Sequence, residues 1–144
     1  MSVNESQLVV KRSTIPAAGK GLFTRKFIAK GTRIVEYTGK ITTWKDVNHD
    51  DGSNVYIYYL KRYHVIDARH HTKVLARYAN DATGLQRLKD IKNNAEYVED
   101  GVRVFIEASK DIPANSEIFV SYGKEYWQVI RKNMQAGTVK AKNK

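Results

Sequence analysis

Cysteine is absent from this chain of 144 residues, and only two prolines occur in it. Without cysteine the chain has no disulfide, no thiolate ligand for zinc and no thiol nucleophile. The sequence also lacks any apolar run that approaches the roughly 20 residues a membrane-spanning helix needs. Its first residues, "MSVNESQLVVKRS", lack the basic and apolar segments of a secretory signal. These absences predict an intracellular protein that is not anchored in a membrane.

Positive charge is the dominant bias of the composition. The chain has 25 lysines and arginines against 15 acidic residues, which gives a formal net charge of +10. Such a charge favours anionic partners and steers association with them. Residues 131–144 carry five basic residues and no acid. They predict a solvated basic tail, with weak contact to nucleic acid left open.

Short apolar runs separated by glycine and polar residues predict several short strands in a single domain. The segments 8–13 and 33–39 read as strands, and 55–63 with 64–68 as two hairpin-related strands. A further hairpin is expected to turn at Asp100 and Gly101. Short helices are expected over 72–80 and 124–135, with at most a helical turn after residue 41. The pattern therefore predicts a mostly β domain.

Four short motifs follow one another along the chain. They are Gly19-Lys20-Gly21, Tyr37-Thr38-Gly39, Arg77-Tyr78-Ala79-Asn80, and Glu117-Ile118 followed by Tyr122-Gly123. Each alone is more typical of a turn or a strand end than of a ligand site.

In this order and spacing, from about Val9 to Val129, the motifs resemble the SET domain of protein lysine methyltransferases that use S-adenosylmethionine. The similarity is greatest to minimal SET proteins, including viral ones. The resemblance implies a SET fold of several small β-sheets, few short helices and a knot-like C-terminal segment. It also implies a SET domain over 1–130 and a basic tail over 131–144.

The resemblance assigns Tyr122 as the central catalytic tyrosine, with Tyr37, Tyr56 and Tyr97 completing a channel for the substrate lysine. A lysine nitrogen that attacks a sulfonium methyl must be neutral, aligned and surrounded by groups that tolerate positive charge. A desolvated aromatic channel favours the neutral amine, and aromatic faces hold the cationic forms. We expect Tyr58, Tyr59 and Tyr63 to serve packing or to be partly buried.

For the cofactor, the resemblance implies contacts from the backbone of Lys20, Gly21 and Leu22. Arg77, Asn80, Asp81 and Tyr122 are expected beside it, and no metal is expected. Trp127 is expected to stack on the adenine. Tyr126 is the alternative, and anchoring of the last helix is a structural role open to Trp127.

Two departures from the family pattern stand out. Asp81 follows Asn80 where the family usually has histidine, and "ATGLQRLKDIKNN" (82–94) replaces the usual Cys-x-Pro-Asn continuation. The absence of a cysteine-rich segment leaves the C-terminal helix and tail, or a second subunit, to close the lysine channel.

The implied partner is a protein substrate with a target lysine, such as a histone tail or another basic chromatin or nucleoid protein. A chain of charge +10 would need a local acidic surface to bind it, and 48–53 and 96–100 are the acidic clusters. Val120 supplies no ring two positions before Tyr122, so Tyr97 is expected to limit the product to monomethyl-lysine. The expected location is the nucleus of a host cell or a bacterial cytoplasm, as a monomer or homodimer. Two alternatives stay open: a non-catalytic SET-fold module that binds lysine, and a basic nucleic-acid-associated protein.

Overall fold

The computed structural model describes residues 3–16, 18–49, 56–82 and 91–121. Within these ranges the chain forms nine short strands and two 3₁₀ helices, and no α-helix occurs there. The prediction of a mostly β domain with few short helices is therefore confirmed. The strands are β1 (Leu8–Arg12), β2 (Lys20–Thr24), β3 (Arg33–Tyr37), β4 (Lys40–Thr42), β5 (Ile57–Lys61), β6 (His64–Asp67), β7 (Ala95–Asp100), β8 (Arg103–Ala108) and β9 (Ser116–Ile118), and the 3₁₀ helices are Glu5–Gln7 and Leu75–Tyr78.

The strands form three small sheets of three strands each, in the orders β1-β2-β9, β3-β8-β7 and β4-β6-β5. All pairings within them are antiparallel. Because a small sheet buries one face, each contributes aliphatic side chains to a shared interior. Burial of one such side chain contributes about 1.5–3 kcal/mol relative to exposure. Fully or nearly fully buried members of this core include Leu22, Ile34, Ile66, Val104, Ile106 and Ile118.

The predicted β7–β8 turn and the helix predicted over 72–80 both appear in the structure. The β7–β8 hairpin turns immediately after Asp100, with Gly101 at φ 62°, where glycine has no steric cost. The predicted helix over 72–80 forms as the 3₁₀ helix Leu75–Tyr78. The expected helical turn after residue 41 is limited to one turn, in which the Val47 N–H donates to the Thr43 carbonyl at 2.9 Å.

Gly39 brings the end of β3 close to the third sheet. A Cβ at this position would lie 2.5 Å from the carbonyl oxygen of Asp67, which belongs to the backbone of β6. Any side chain would push the two strands apart, because a backbone atom cannot move aside cheaply. The Tyr37-x-Gly39 motif therefore places a tyrosine at the junction of two sheets.

Residues Phe119 and Val120 run between two earlier segments of the chain. Phe119 pairs in parallel with Asn80, and Val120 pairs in parallel with Ala95. This short stretch leads from β9 towards the predicted knot-like segment, whose continuation after Ser121 lies outside the described residues. The predicted C-terminal helix (124–135) and basic tail (131–144) also lie outside them. Among the described residues, no helix is long and apolar enough to cross a membrane.

Candidate active site

Three tyrosine rings meet where the second and third sheets join, and we call Tyr37, Tyr58 and Tyr97 the aromatic cluster. Tyr37 ends β3, Tyr97 lies in β7, and Tyr58 comes from β5. The ring centroids of Tyr37 and Tyr58 are 6.1 Å apart, those of Tyr37 and Tyr97 are 6.0 Å apart, and those of Tyr58 and Tyr97 are 5.1 Å apart. The two contacts of Tyr97 are edge-to-face, a favourable arrangement for aromatic rings. The cluster thus presents π-faces and hydroxyls from two sheets in one place.

Hydrogen bonds fix two of these rings. The Tyr37 hydroxyl donates to the Tyr56 carbonyl at 2.7 Å. The Tyr58 hydroxyl donates to Oε2 of Glu99 at 2.9 Å. Burial, together with the hydrogen bond and negative charge of Glu99, raises the pKa of Tyr58 well above that of an ordinary phenol. Tyr58 therefore stays a neutral hydrogen-bond donor at physiological pH.

A buried carboxylate organises the loop between β1 and β2. Glu117 of β9 is 5% exposed, and its Oε2 accepts a hydrogen bond from the Ser13 hydroxyl at 2.7 Å. Its Oε1 accepts bonds from the Thr14 N–H at 2.8 Å and the Thr14 hydroxyl at 2.7 Å. We call Ser13, Thr14 and Glu117 the carboxylate clasp. The Ser13 N–H also donates to the Gly19 carbonyl at 2.8 Å, which closes the loop at its base.

Gly21 gives the carboxylate of the clasp the space that it occupies. A Cβ at residue 21 would overlap Oε2 of Glu117, and it would also come within 3.2 Å of the Ser13 Cβ. The next residue, Leu22, is fully buried in the core opposite Ile118. A ligand at this strand can therefore contact Leu22 through its backbone, the mode that the sequence predicted for residues 20–22.

Asn80 connects the clasp to the segment after the second 3₁₀ helix. Its Nδ2 donates to the Lys20 carbonyl at 3.0 Å and lies 3.5 Å from Oε2 of Glu117. Its carbonyl accepts the Val120 N–H at 2.9 Å. Next to it, Asp81 is buried, and its Oδ1 accepts a bond from Nδ2 of Asn93 at 2.9 Å. An amide from the 82–94 segment thus holds the Asp81 side chain in the interior.

Arg77 belongs to the second 3₁₀ helix and packs against Tyr56. Its side chain is buried, and Nη1 donates to the carbonyls of Ala68 at 3.1 Å and Arg69 at 2.9 Å. The guanidinium lies over the Tyr56 ring, 4.2 Å from the centroid. Nε of Arg77 is a buried donor without a hydrogen-bond partner in the described part of the chain. Native proteins rarely leave such a donor unsatisfied, so Arg77 Nε is a candidate donor to a ligand.

The predicted site residues therefore separate into two adjacent groups. Tyr37 and Tyr97 belong to the aromatic cluster, and Tyr56 joins them through its carbonyl and contacts Arg77 through its ring. Lys20, Gly21 and Asn80 surround the clasp. Tyr122, Tyr126 and Trp127 lie outside the described residues.

Sequence reasoning missed three residues of the site. Tyr58 is partly buried against the core, as expected, but its ring contact with Tyr97, with centroids 5.1 Å apart, was not expected. Glu117 stood in the quoted motif without an assigned role, and its acidic side chain among apolar neighbours was the available signal. Glu99 carried no signal beyond its acidic cluster. The expectation of packing or partial burial was wrong for Tyr63, which is 73% exposed because it lies at the turn between β5 and β6.

Comparison with known proteins gives three findings. The SET domain family matches residues 19–123 of the chain. The histone-lysine N-methyltransferase EZH2 of Chaetomium thermophilum is 29% identical over 146 residues, covering 90% of this chain and 9% of that protein. Among solved structures, the methyltransferase domain of human PR domain-containing protein 2 has a TM-score of 0.61 at 23% identity, covering 81% of this chain and 77% of that one. The structural likeness shows the fold, and the chain spans a small part of the curated relative's length.

Proposed function

The chain belongs to the SET domain family, and from this premise we propose that it is an S-adenosylmethionine-dependent protein lysine N-methyltransferase. The observation that carries the proposal is the link between the aromatic cluster and Arg77 through Tyr56. The Tyr56 carbonyl accepts the Tyr37 hydroxyl, and the Tyr56 ring lies against the Arg77 guanidinium. A lysine methyltransferase needs two neighbouring sites, one for a lysine side chain and one for the methyl donor.

The residues at the second site fit the cofactor. Arg77 holds a buried donor with no partner among the described residues, which suits a ligand with carboxylate or hydroxyl oxygens. The clasp fixes the backbone before Lys20 and Gly21, and the family resemblance gives those residues the amino-acid and ribose end. We propose that Arg77, Asn80, Asp81, Leu22, Tyr122 and Trp127 complete this site. When bound, S-adenosylmethionine supplies a methyl group on a positively charged sulfur.

The aromatic cluster would act on the substrate lysine in three ways. Its rings attract the ammonium as the side chain enters. The apolar surroundings then favour loss of the ammonium proton, because burial disfavours the charged form. The fixed orientation of Tyr37, whose hydroxyl is bound to the Tyr56 carbonyl, holds the channel wall in place and orients the nitrogen for attack.

The test is radiolabelled methyl transfer to histone octamers, free histones and a cell lysate, followed by mass spectrometry. Tyr122→Phe deletes the hydroxyl that we assign to catalysis, so turnover should collapse while binding of S-adenosylhomocysteine survives. Tyr63→Phe is the matched control, because this exposed tyrosine lies at a hairpin turn. Near wild-type turnover in Tyr122→Phe would refute the assignment. Retained binding of lysine peptides without any transfer in the wild type would favour a lysine-binding module.

We further propose a histone or another basic chromatin or nucleoid protein as substrate, inside the cell, with monomethyl-lysine as the main product. Tyr97 supports the product assignment, because its ring makes edge-to-face contacts with both other rings of the cluster. Tyr97→Phe removes one hydroxyl and should let di- and trimethyl-lysine accumulate in long reactions. Abundant trimethyl-lysine from the wild type would show that the assignment of Tyr97 is wrong.

A further inference from the structure

The carboxylates of the sheet β3-β8-β7 differ in whether they form an ion pair with an arginine. On one face, Glu36 accepts bonds from Arg103 at 2.8 and 3.1 Å. On the same face, Arg33 lies 3.4 Å from Asp100 and 4.0 Å from Glu107. The two arginines also lie over the Phe105 ring between them, with centroid distances of 3.9 and 4.9 Å. On this face, two arginines therefore pair with three carboxylates.

Glu99 lies on the other face of the same sheet. It is paired with Val104, which is paired in turn with Tyr37, so the three side chains share one row across the sheet. Tyr97, two residues earlier, points to the same side because side chains alternate along a strand. The Glu99 carboxylate accepts the Tyr58 hydroxyl at 2.9 Å and is solvent-exposed. Among the described residues, no lysine, arginine or histidine forms an ion pair with it.

A carboxylate that forms no ion pair within the described part of the chain is notable in a protein of net charge +10. It lies at the solvent-exposed side of three aromatic rings, where a basic peptide would otherwise meet net repulsion. It is poorly suited to hold the target lysine itself, since a nearby negative charge favours the protonated amine and opposes attack. A second cation on the substrate meets no such conflict.

We propose that Glu99 recognises a second positive charge on the substrate, a lysine or arginine side chain close in sequence to the target lysine. The proposal rests on the proposed function, since it takes the aromatic cluster as the site of the target lysine. It names the substrate class as a basic segment with at least two cationic side chains. Glu99 is then a specificity-determining residue, while Tyr58 holds its carboxylate in place.

The test uses fluorescein-labelled alanine-rich peptides with one central lysine, either alone or with a single arginine at each of the four nearest positions. Their affinities for the wild-type chain are measured by fluorescence anisotropy. Glu99→Gln keeps an oxygen that can accept the Tyr58 hydroxyl and removes only the charge. Glu96→Gln is the matched control, because it makes the same charge change at an exposed residue on the opposite face of β7.

We expect an arginine in at least one position to tighten wild-type binding by about two- to fivefold, the range of an exposed ion pair. Glu99→Gln should lose the preference for arginine, and its peptide binding should depend less on salt concentration. Glu96→Gln should keep the preference and the salt dependence of the wild type. In methyl transfer, the effect of Glu99→Gln should fall on KM more than on kcat. Glu99→Asp, which restores the charge, should recover part of the preference.

Two results would overturn the proposal: no arginine preference in the wild type, or equal losses in Glu99→Gln and Glu96→Gln. Either result leaves the proposed function intact if the wild type still methylates lysine. Conversely, an arginine preference that depends on Glu99 without any methyl transfer supports the recognition role and counts against the enzyme.

Discussion

Replacement of Glu117 by glutamine tests whether the carboxylate clasp supports both the fold and the cofactor site. The side chain keeps its size, so the change alters only charge and hydrogen bonding. Oε1 must remain an oxygen, because the Thr14 N–H donates to it at 2.8 Å. The new amide nitrogen then takes the position of Oε2, where it faces the Ser13 hydroxyl and the Asn80 amide, both donors in the native structure.

The expected loss follows from these contacts. Hydrogen bonds to a charged group contribute about 1.5–3 kcal/mol each, against about 0.5–1.5 kcal/mol for neutral ones. Weakening the two bonds to Thr14 and losing that from Ser13 would cost several kcal/mol. The neutral amide recovers part of this because it is less costly to bury. A net loss of about 2 kcal/mol in the free energy of unfolding is expected, or roughly 4–8 °C in Tm for a domain of this size.

Urea unfolding and calorimetric titration with S-adenosylhomocysteine provide the two measurements, with Glu96→Gln as the surface control. We expect the affinity of the folded Glu117→Gln variant to fall as well, because the loop before Lys20 loses its support. A stability within about 0.5 kcal/mol of the wild type, which is typical of a neutral surface change, would refute the clasp. An unchanged affinity would restrict its role to the fold.

Two further predictions concern neighbouring residues. Gly21→Ala should destabilise the fold by about 1–3 kcal/mol through overpacking against Glu117. This loss of stability should largely disappear when Glu117 is also replaced by alanine. Equal losses in both backgrounds, measured by urea unfolding, would exclude the contact with Glu117 as the cause. Burial raises the pKa of Tyr58 in the folded state, whereas a phenol in the unfolded chain has a pKa near ~10. Above that pH the folded state therefore keeps the Tyr58 proton, while the unfolded chain loses it. Its contribution to stability is complete below that pH and declines as pH rises above it. Tyr58→Phe should therefore flatten the alkaline decline in unfolding free energy, and an unchanged slope between pH 9 and 11 would contradict the raised pKa.

The sequence predicts well those features that depend on neighbouring residues. The β7–β8 hairpin could be predicted because Gly101 permits the turn and apolar residues flank the turn on both sides. The position of Tyr37 at a strand end was predictable because Gly39 follows it closely. The mostly β architecture followed from short apolar runs, each separated by polar residues or glycine.

Features that depend on distant contacts were not predictable in this way. Tyr58 and Tyr59 are adjacent tyrosines in one strand, yet one joins the aromatic cluster and the other is 52% exposed beside Trp44. Side chains alternate along a strand, so the two tyrosines point to opposite faces. Contacts with β6 and the neighbouring sheet decide which of the two joins the cluster. A register shift between Tyr59 and Lys61 also interrupts the strand pattern near its end. The partner of Glu117 lies about a hundred positions away, and nothing in the local sequence indicates it.

The distance along the chain between Ser13 and Glu117 has a consequence for the order of folding. These residues are 104 positions apart, and β9 completes the first sheet by pairing with β2. Such non-local contacts form slowly, since a long loop must close before any of them can stabilise the chain. During synthesis, β1 and β2 are made early, but β2 cannot pair with β9 until residues near 117 have left the ribosome. We therefore expect the loop held by Glu117 to become ordered late, because a nascent chain that ends before β9 lacks the strand that fixes this loop.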